Sequence, residues 1–225
     1  MPTKNIELKK DQEFRAFNFE IRAKEDEKHG HYIEGQPIVF GQRTDMGWYD
    51  EVISAEALKN CDLKDVRFLV NHNLDMIPLA RSRNNNENST MQMSVVSEGM
   101  NIRVDLDTEN NNESKSLYSA VSRGDVTGMS FMFSVRKSEW DETNPDHPTR
   151  TITDIAKVYE VSAVTWPAYD QTSITARCSG ALDNAKEELE SLRRARTEKA
   201  EAEKRTALEI EQRERELHLL ELKCK

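Results

Sequence analysis

Cysteine is scarce in this chain of 225 residues, and the cysteines that occur lie far apart. Cys61, Cys178 and Cys224 make an odd number, and none of them belongs to a C-x-x-C pair. The sequence therefore predicts neither a disulfide framework nor a zinc site, and it favours a reducing compartment.

Long apolar runs are missing as well. Only 36% of the residues are hydrophobic, whereas about 45–50% is usual in globular proteins. No stretch reaches the roughly 18 apolar residues of a membrane-spanning helix, and the N-terminus lacks the apolar core of a secretory signal. We therefore expect an intracellular protein without a membrane partner, part of which builds no core.

Basic residues are fewer than acidic residues in this sequence. The sequence has 32 Lys and Arg against 41 Asp and Glu, which gives a net charge of -9 and a pI of about 5.2. A general nucleic-acid-binding protein needs a basic face to contact phosphates. Nucleic acid is therefore not an expected partner.

Composition divides the chain into an expected folded domain, residues 1–178, and a charged tail, residues 179–225. The tail is rich in Ala, Leu, Glu, Lys and Arg, which predicts one long helix. Charged residues interrupt its heptad pattern, so it predicts a solvated helix or a weak coiled coil that self-associates or binds a partner helix.

Residues 12–178 contain short segments in which apolar and polar residues alternate, as in Met100–Asp107, and turn signals separate them. Such segments predict strands. We expect two short helices, one after Ser54 and one from Ser116 to Arg123 that ends at Gly124. Many strands without βα alternation favour a mainly β fold of the α+β class: a small, mostly antiparallel barrel or curled sheet with peripheral helices.

The first segment with chemical potential is an apolar strand from Val66 to Val70 that is followed by His72 between two asparagines. A histidine at a strand end is more often structural than catalytic, so the motif is weak by itself. His29 and His31 lack further ligands at ligand spacing, and we expect neither a metal nor a cofactor.

The second segment, Val126–Phe133, places a serine in an apolar strand. Alternation puts Phe131 and Phe133 on the core face and Ser130 on the opposite face. The motif is not the nucleophile elbow of α/β-hydrolases, because Met132 replaces the second glycine and a strand follows. A serine that only bonds within a sheet is the plainer interpretation of this segment alone.

The third segment is the apolar strand from Ile155 to Val164, which has a carboxylate near its middle. Alternation predicts Glu160 on the same side as Val158 and Val164. Burial of a charged carboxylate is costly unless a donor such as an imidazole binds it. Glu160 therefore either has a buried partner or belongs to an edge strand and points to water or a lysine.

Together the three segments supply the hydroxyl, imidazole and carboxylate that nucleophilic catalysis needs. In this order, NHN at a strand end, GMSFMF after a short helix that ends in Arg-Gly-Asp, and EVSAVTWPAY resemble the prohead (capsid maturation) proteases of tailed bacteriophages. The resemblance covers roughly residues 14–177. Met132 stands where the commoner form of the motif, GMSFGF, has glycine, a change that would narrow or reshape the substrate channel.

The resemblance implies roles for the three residues. Ser130 would be the nucleophile, His72 the general base and later the general acid, and Glu160 the third member. The family is similar in fold to the herpesvirus assemblins, in which the third member is another histidine, so an acid is not obligatory. Asp154 and Asp170 are alternatives to Glu160.

The resemblance also implies a setting: a serine endopeptidase inside the immature phage capsid, in the host cytoplasm, that cleaves the scaffolding part of the major capsid protein and itself. The tail would then be a packaging, autoinhibitory or self-cleaved segment. The alternative from another class is a non-enzymatic internal scaffold, or a fusion of protease and scaffold, and a homo-oligomer is compatible with each. A metal-dependent hydrolase is disfavoured, because the sequence lacks a ligand cluster.

Overall fold

The computed structural model describes residues 12–17, 21–27, 30–165 and 179–223. The chain divides into two compact units, Met1–Leu182 and Asp183–Lys225. The described part of the first unit is built of strands, one short helix and the first residues of the C-terminal helix, and the second unit is helical. The sequence therefore forms a mainly β protein with a C-terminal helix, as expected.

Eleven strands and two helices are described. The strands are β1 Gln12–Phe17, β2 Arg22–Asp26, β3 Gly30–Val39, β4 Thr44–Asp45, β5 Asp50–Ile53, β6 Asp65–Val70, β7 Ala80–Arg83, β8 Met91–Val96, β9 Gly99–Asp105, β10 Gly128–Asp141 and β11 Thr149–Val164. The helices are α1 Asn112–Arg123 and α2 Ser179–Lys223.

The strands form a 7-stranded and a 4-stranded sheet. The larger sheet has the order β1-β10-β11-β5-β4, and β6 pairs in parallel with the other end of β11 and antiparallel with β7. The smaller sheet has the order β2-β3-β9-β8. No pairing among the described strands closes either sheet, so the expected barrel is not confirmed.

Alternation along β10 is as predicted, whereas alternation along β11 is interrupted. Phe131 and Phe133 are fully buried in the core, with ring centroids 4.7 Å apart. Glu160 lies opposite Met132, but Val158 lies opposite Phe133, because a register shift leaves the residue between them without a partner. The prediction that Val158 shares the face of Glu160 is therefore wrong: this β-bulge turns Val158 into the core.

Helix α1 confirms the predicted helix and begins one turn earlier than expected. The Asn111 side chain accepts hydrogen bonds from the backbone N–H groups of Glu113 and Ser114, which caps the first turn. Gly124 ends the helix in the left-handed conformation, at φ 77°.

The prediction of a helix after Ser54 is wrong. Residues 55–60 form consecutive turns, in which the N–H groups of Ala57, Lys59 and Cys61 each donate to the carbonyl three residues earlier. The segment is too short for its hydrogen bonds to offset the free-energy cost of nucleating an α-helix.

Helix α2 is solvated over most of its length, since the side chains of residues 190–215 are exposed. Leu208 and Ile210 are 58% and 54% exposed, so the apolar seam is not covered there by this chain. Neither α1 nor α2, as described, has an apolar stretch that could cross a bilayer.

A buried cluster of four charged side chains, Glu13, Arg15, Glu51 and Arg150, joins β1, β5 and β11. Arg15 donates to Glu13 at 2.6 Å and to Glu51 at 2.6 Å. Arg150 donates to the same two carboxylates at 3.0 and 3.2 Å. All four side chains are at most 4% exposed, so each charge depends on its partners rather than on water.

We expect Glu51→Gln to lower the free energy of unfolding by about 3–5 kcal/mol, because it leaves the two buried guanidinium groups of Arg15 and Arg150 with the single carboxylate of Glu13 between them. Urea denaturation followed by circular dichroism measures this change. Glu139→Gln, which breaks an exposed pair with Lys137, is the control and should leave the midpoint unchanged. Equal midpoints for Glu51→Gln and the wild type would contradict a stabilising role for the cluster.

The pH dependence of stability should also reflect the cluster. Burial opposes ionisation of Glu13, but Arg15 and Arg150 outweigh burial and lower the pKa of Glu13 below its usual 4.5. A lowered pKa contributes stability above the unfolded value, and this contribution is lost as the pH falls through the lowered value. Urea midpoints measured from pH 7 downward should therefore fall less steeply below pH 4.5 for Glu13→Gln than for the wild type. Identical slopes would contradict this assignment.

Candidate active site

The site lies on the face of the larger sheet that points away from the phenylalanine pair of β10. Ser130 in β10 is opposite Ser162 in β11, and Glu160 is two residues further back on β11 and therefore on the same face. On the other side of β11, Val70 at the end of β6 pairs in parallel with Ala163. Residues that follow β6 are thereby brought beside the two strands.

The turn after β6 carries His72. Asn71 and His72 both have positive φ angles, 52° and 55°, which are uncommon for residues other than glycine. The Asn71 amide oxygen accepts hydrogen bonds from the Thr165 backbone N–H at 3.0 Å and from its hydroxyl at 3.2 Å. The backbone N–H of His72 donates to the Ser162 hydroxyl at 3.1 Å. These bonds fasten the turn to β11 and its following residue.

Two short hydrogen bonds connect the three side chains that the sequence singled out. His72 Nε2 lies 2.6 Å from Ser130 Oγ, and His72 Nδ1 lies 2.5 Å from Glu160 Oε1. Ser130 is fully buried, Glu160 is 1% exposed and His72 is 8% exposed. The structure thus brings Ser130, His72 and Glu160 together in a desolvated chain of hydrogen bonds.

The pairing fixes the tautomer of the imidazole. An ionised carboxylate can only accept hydrogen bonds, so His72 Nδ1 carries the proton that Glu160 binds. In the neutral ring, Nε2 is then left as an acceptor that faces the Ser130 hydroxyl. This tautomer lets Nε2 accept a hydrogen bond from the hydroxyl.

Strand β1 forms a second contact with the serine. Ala16 lies opposite Ser130 in the β1–β10 pair, and the Ser130 hydroxyl donates to the Arg15 carbonyl oxygen at 2.7 Å. The ring of Phe14 packs against the His72 ring, with centroids 4.3 Å apart. Since a hydroxyl has one proton, Ser130 can donate it to the Arg15 carbonyl or to His72 but not to both at once.

Sequence reasoning missed Ser162, whose hydroxyl donates to Glu160 Oε2 at 2.6 Å. A signal was present, because Ser162 is two residues from Glu160 in a strand and must share its face. The contacts of Phe14 and Arg15 had no such signal, since they depend on how β1 pairs with β10.

The alternative acids do not take the place of Glu160 among the described residues. Asp154 is bound by Arg136 at 2.7 and 2.9 Å. Asp170 lies outside the part of the chain that the structure describes.

The Cys61 thiol and the group formed by Asp45, Asp50 and His147 are further candidates for chemistry on the described residues. Burial raises the pKa of the half-buried Cys61 thiol to about 11, so it is not a thiolate at neutral pH. Within the described ranges, Asp45, Asp50 and His147 could offer ligand atoms within 4.8 Å of one another. Asp50 is already bound by Arg43 at 2.8 Å and by His147 at 3.1 Å.

A family model agrees with the motifs. The sequence model of the caudovirus prohead serine proteases matches residues 17–187. The solved structure of the bacteriophage T4 capsid assembly protease gp21 is similar with a TM-score of 0.36 and 14% identity, over 68% of this chain and 99% of that chain. No curated protein matches the chain significantly.

The family match includes His72, Ser130 and Glu160 and spans well over half of the chain. The family assignment rests on this match. The chain belongs to the caudovirus prohead serine protease family.

Proposed function

We propose that this protein is the capsid maturation endopeptidase of a tailed phage, with Ser130 as nucleophile, His72 as general base and Glu160 as the acid that orients it. The observation that carries the proposal is the buried chain Ser130–His72–Glu160, with hydrogen bonds of 2.6 and 2.5 Å. The proposed substrates are the scaffolding part of the major capsid protein, inside the immature capsid, and the chain itself. The family assignment supports a substrate within the prohead, and the scaffolding part and self-cleavage are the finer part of the proposal.

In the acylation step, Ser130 Oγ attacks the carbonyl carbon of the scissile peptide bond while His72 Nε2 takes the hydroxyl proton. Glu160 stabilises the imidazolium that forms and keeps its Nδ1–H in place. The imidazolium then gives its Nε2 proton to the leaving amine, which departs with the C-terminal part of the substrate.

In the deacylation step, water takes the place of the amine. His72 Nε2 accepts a proton from the water, whose oxygen attacks the ester carbon, and Ser130 Oγ leaves and regains the proton. Because Ser130 is fully buried in this structure, its hydroxyl must become accessible before it can attack a polypeptide.

The alternative hypothesis, a non-enzymatic scaffold protein, does not explain the buried chain of Ser130, His72 and Glu160. A buried carboxylate and imidazole are costly to desolvate, and apolar side chains of similar size would stabilise a scaffold at least as well. A proton-transfer chain that ends on a serine hydroxyl has a use in acyl transfer.

Cleavage of purified capsid protein by variants tests the three roles. We expect Ser130→Ala to abolish cleavage and Glu160→Gln to lower kcat about 10,000-fold, the loss seen when a triad acid is removed. Asp154→Asn is the matched control and should retain activity, because Asp154 binds Arg136. Active Ser130→Ala would overturn the serine mechanism. If Asp154→Asn were inactive and Glu160→Gln active, the acid would be assigned wrongly.

Self-cleavage is tested by expressing the full chain alone and measuring intact mass. We expect the wild type to lose a terminal segment with time and Ser130→Ala to keep its full mass. Addition of wild type to labelled Ser130→Ala should then shorten the labelled chain, if cleavage occurs between molecules. Equal, unchanged masses after the wild type has cleaved capsid protein would contradict self-cleavage.

A further inference from the structure

Ser162 contacts two of the three proposed catalytic residues, and neither the motif comparison nor the proposed mechanism gives it a role. It is fully buried in β11, directly opposite Ser130. Its Oγ accepts the His72 backbone N–H at 3.1 Å and donates its own proton to Glu160 Oε2 at 2.6 Å. A single hydroxyl thus connects the backbone of the histidine with the carboxylate that binds the histidine ring.

The contacts form a closed ring of hydrogen bonds. From the backbone N–H of His72 the ring runs to Ser162 Oγ, then to Glu160 Oε2, and back from Oε1 to His72 Nδ1. His72 is therefore held at its backbone and at its imidazole by the same short piece of β11. Movement of one bond in such a ring strains the others, which restricts the imidazole to one orientation.

The backbone contact matters because His72 has a φ of 55° and lies in a turn rather than in a sheet. A left-handed conformation is unfavourable for a histidine, and surrounding bonds must stabilise it. Ser162 supplies the hydrogen bond to the His72 N–H at this point.

The carboxylate contact matters because Glu160 is 1% exposed, so its second oxygen needs a hydrogen-bond partner within the protein. Rotation of the carboxylate about its last bond would break the bond to Ser162 and the bond to His72 together. With Ser162 in place, Oε1 is presented to Nδ1 and Oε2 is satisfied.

We propose that Ser162 is a positioning residue of this active site, which acts by fixing both His72 and Glu160 through one hydroxyl. The inference rests on the proposed function, because it concerns the same site. It predicts that loss of the hydroxyl lowers the rate of the chemical step and leaves substrate binding unchanged.

The test compares Ser162→Thr with Ser162→Val in the full chain. The two replacements have nearly the same shape, but only threonine keeps a hydroxyl. We expect Ser162→Val to lower kcat about 10- to 100-fold with KM unchanged. Ser162→Thr should have a kcat close to that of the wild type, because it keeps the hydroxyl. Ser162→Ala, which adds no volume, should resemble Ser162→Val if the added methyl groups are tolerated.

The matched control is Ser114→Ala. Ser114 is also fully buried, and its hydroxyl has no hydrogen-bond partner within the described part of the chain. Its replacement should leave kcat unchanged. Thermal unfolding of every variant separates a loss of folding from a loss of rate.

A second measurement does not depend on activity. The proton between His72 Nδ1 and Glu160 should give a low-field signal in the proton NMR spectrum that is absent from His72→Gln. We expect this signal in the wild type and in Ser162→Thr, and its broadening or loss in Ser162→Val and Ser162→Ala. A wild type that cleaves nothing would overturn the proposed function, and the signal would still decide the role of Ser162.

Two results would overturn the inference while the protease function stands. One is a Ser162→Ala variant that folds and keeps both kcat and the low-field signal of the wild type. The other is an equal loss of kcat in Ser162→Thr and Ser162→Val with the signal kept in both, since shape and not the hydroxyl would then be what β11 requires.

Discussion

The antiparallel pairing of β10 with β11, with its shift of register at Tyr159, is the constraint on which the site depends. On one side of the bulge, β11 presents Glu160 to the face of Ser130. On the other side, it turns Val158 into the core. One continuous strand therefore serves both as a core element and as the support for a buried carboxylate. A regular alternation could not satisfy both requirements.

His72 is brought to the same face of the sheet as Ser130 by the pairing of β6 and by the turn that follows it. Strand β6 pairs in parallel with β11, so that its end lies beside the residues that carry the acid. Two successive residues with positive φ then reverse the chain. Each left-handed non-glycine residue costs about 1–3 kcal/mol, and the bonds from Asn71 to Thr165 and from His72 to Ser162 offset that cost locally. The charged cluster of Glu13, Arg15, Glu51 and Arg150 ties β1 to β5 and β11, and so fixes the strand whose carbonyl contacts Ser130.

Much of this arrangement could be predicted where the signal is local. Alternation in β10 predicts which side of the strand carries Ser130, and the end of an apolar strand marks the position of His72. The bulge at Tyr159 could not be predicted, because it is a mismatch between two strands and not a property of one. The same holds for the charged cluster, whose members are far apart in sequence. The prediction of a helix after Ser54 failed for a different reason. The residues there favour a helix locally, but the segment is too short to form one.

In the proposed mechanism, His72 activates Ser130 as the nucleophile. Its most direct test is the reaction of the full chain with a fluorophosphonate, under conditions in which it cleaves capsid protein, followed by peptide mapping in a mass spectrometer. We expect one adduct, on Ser130, that forms in the folded wild type and does not form in His72→Gln. An adduct on another residue, or labelling of Ser130 in His72→Gln at the rate of the wild type, would contradict it.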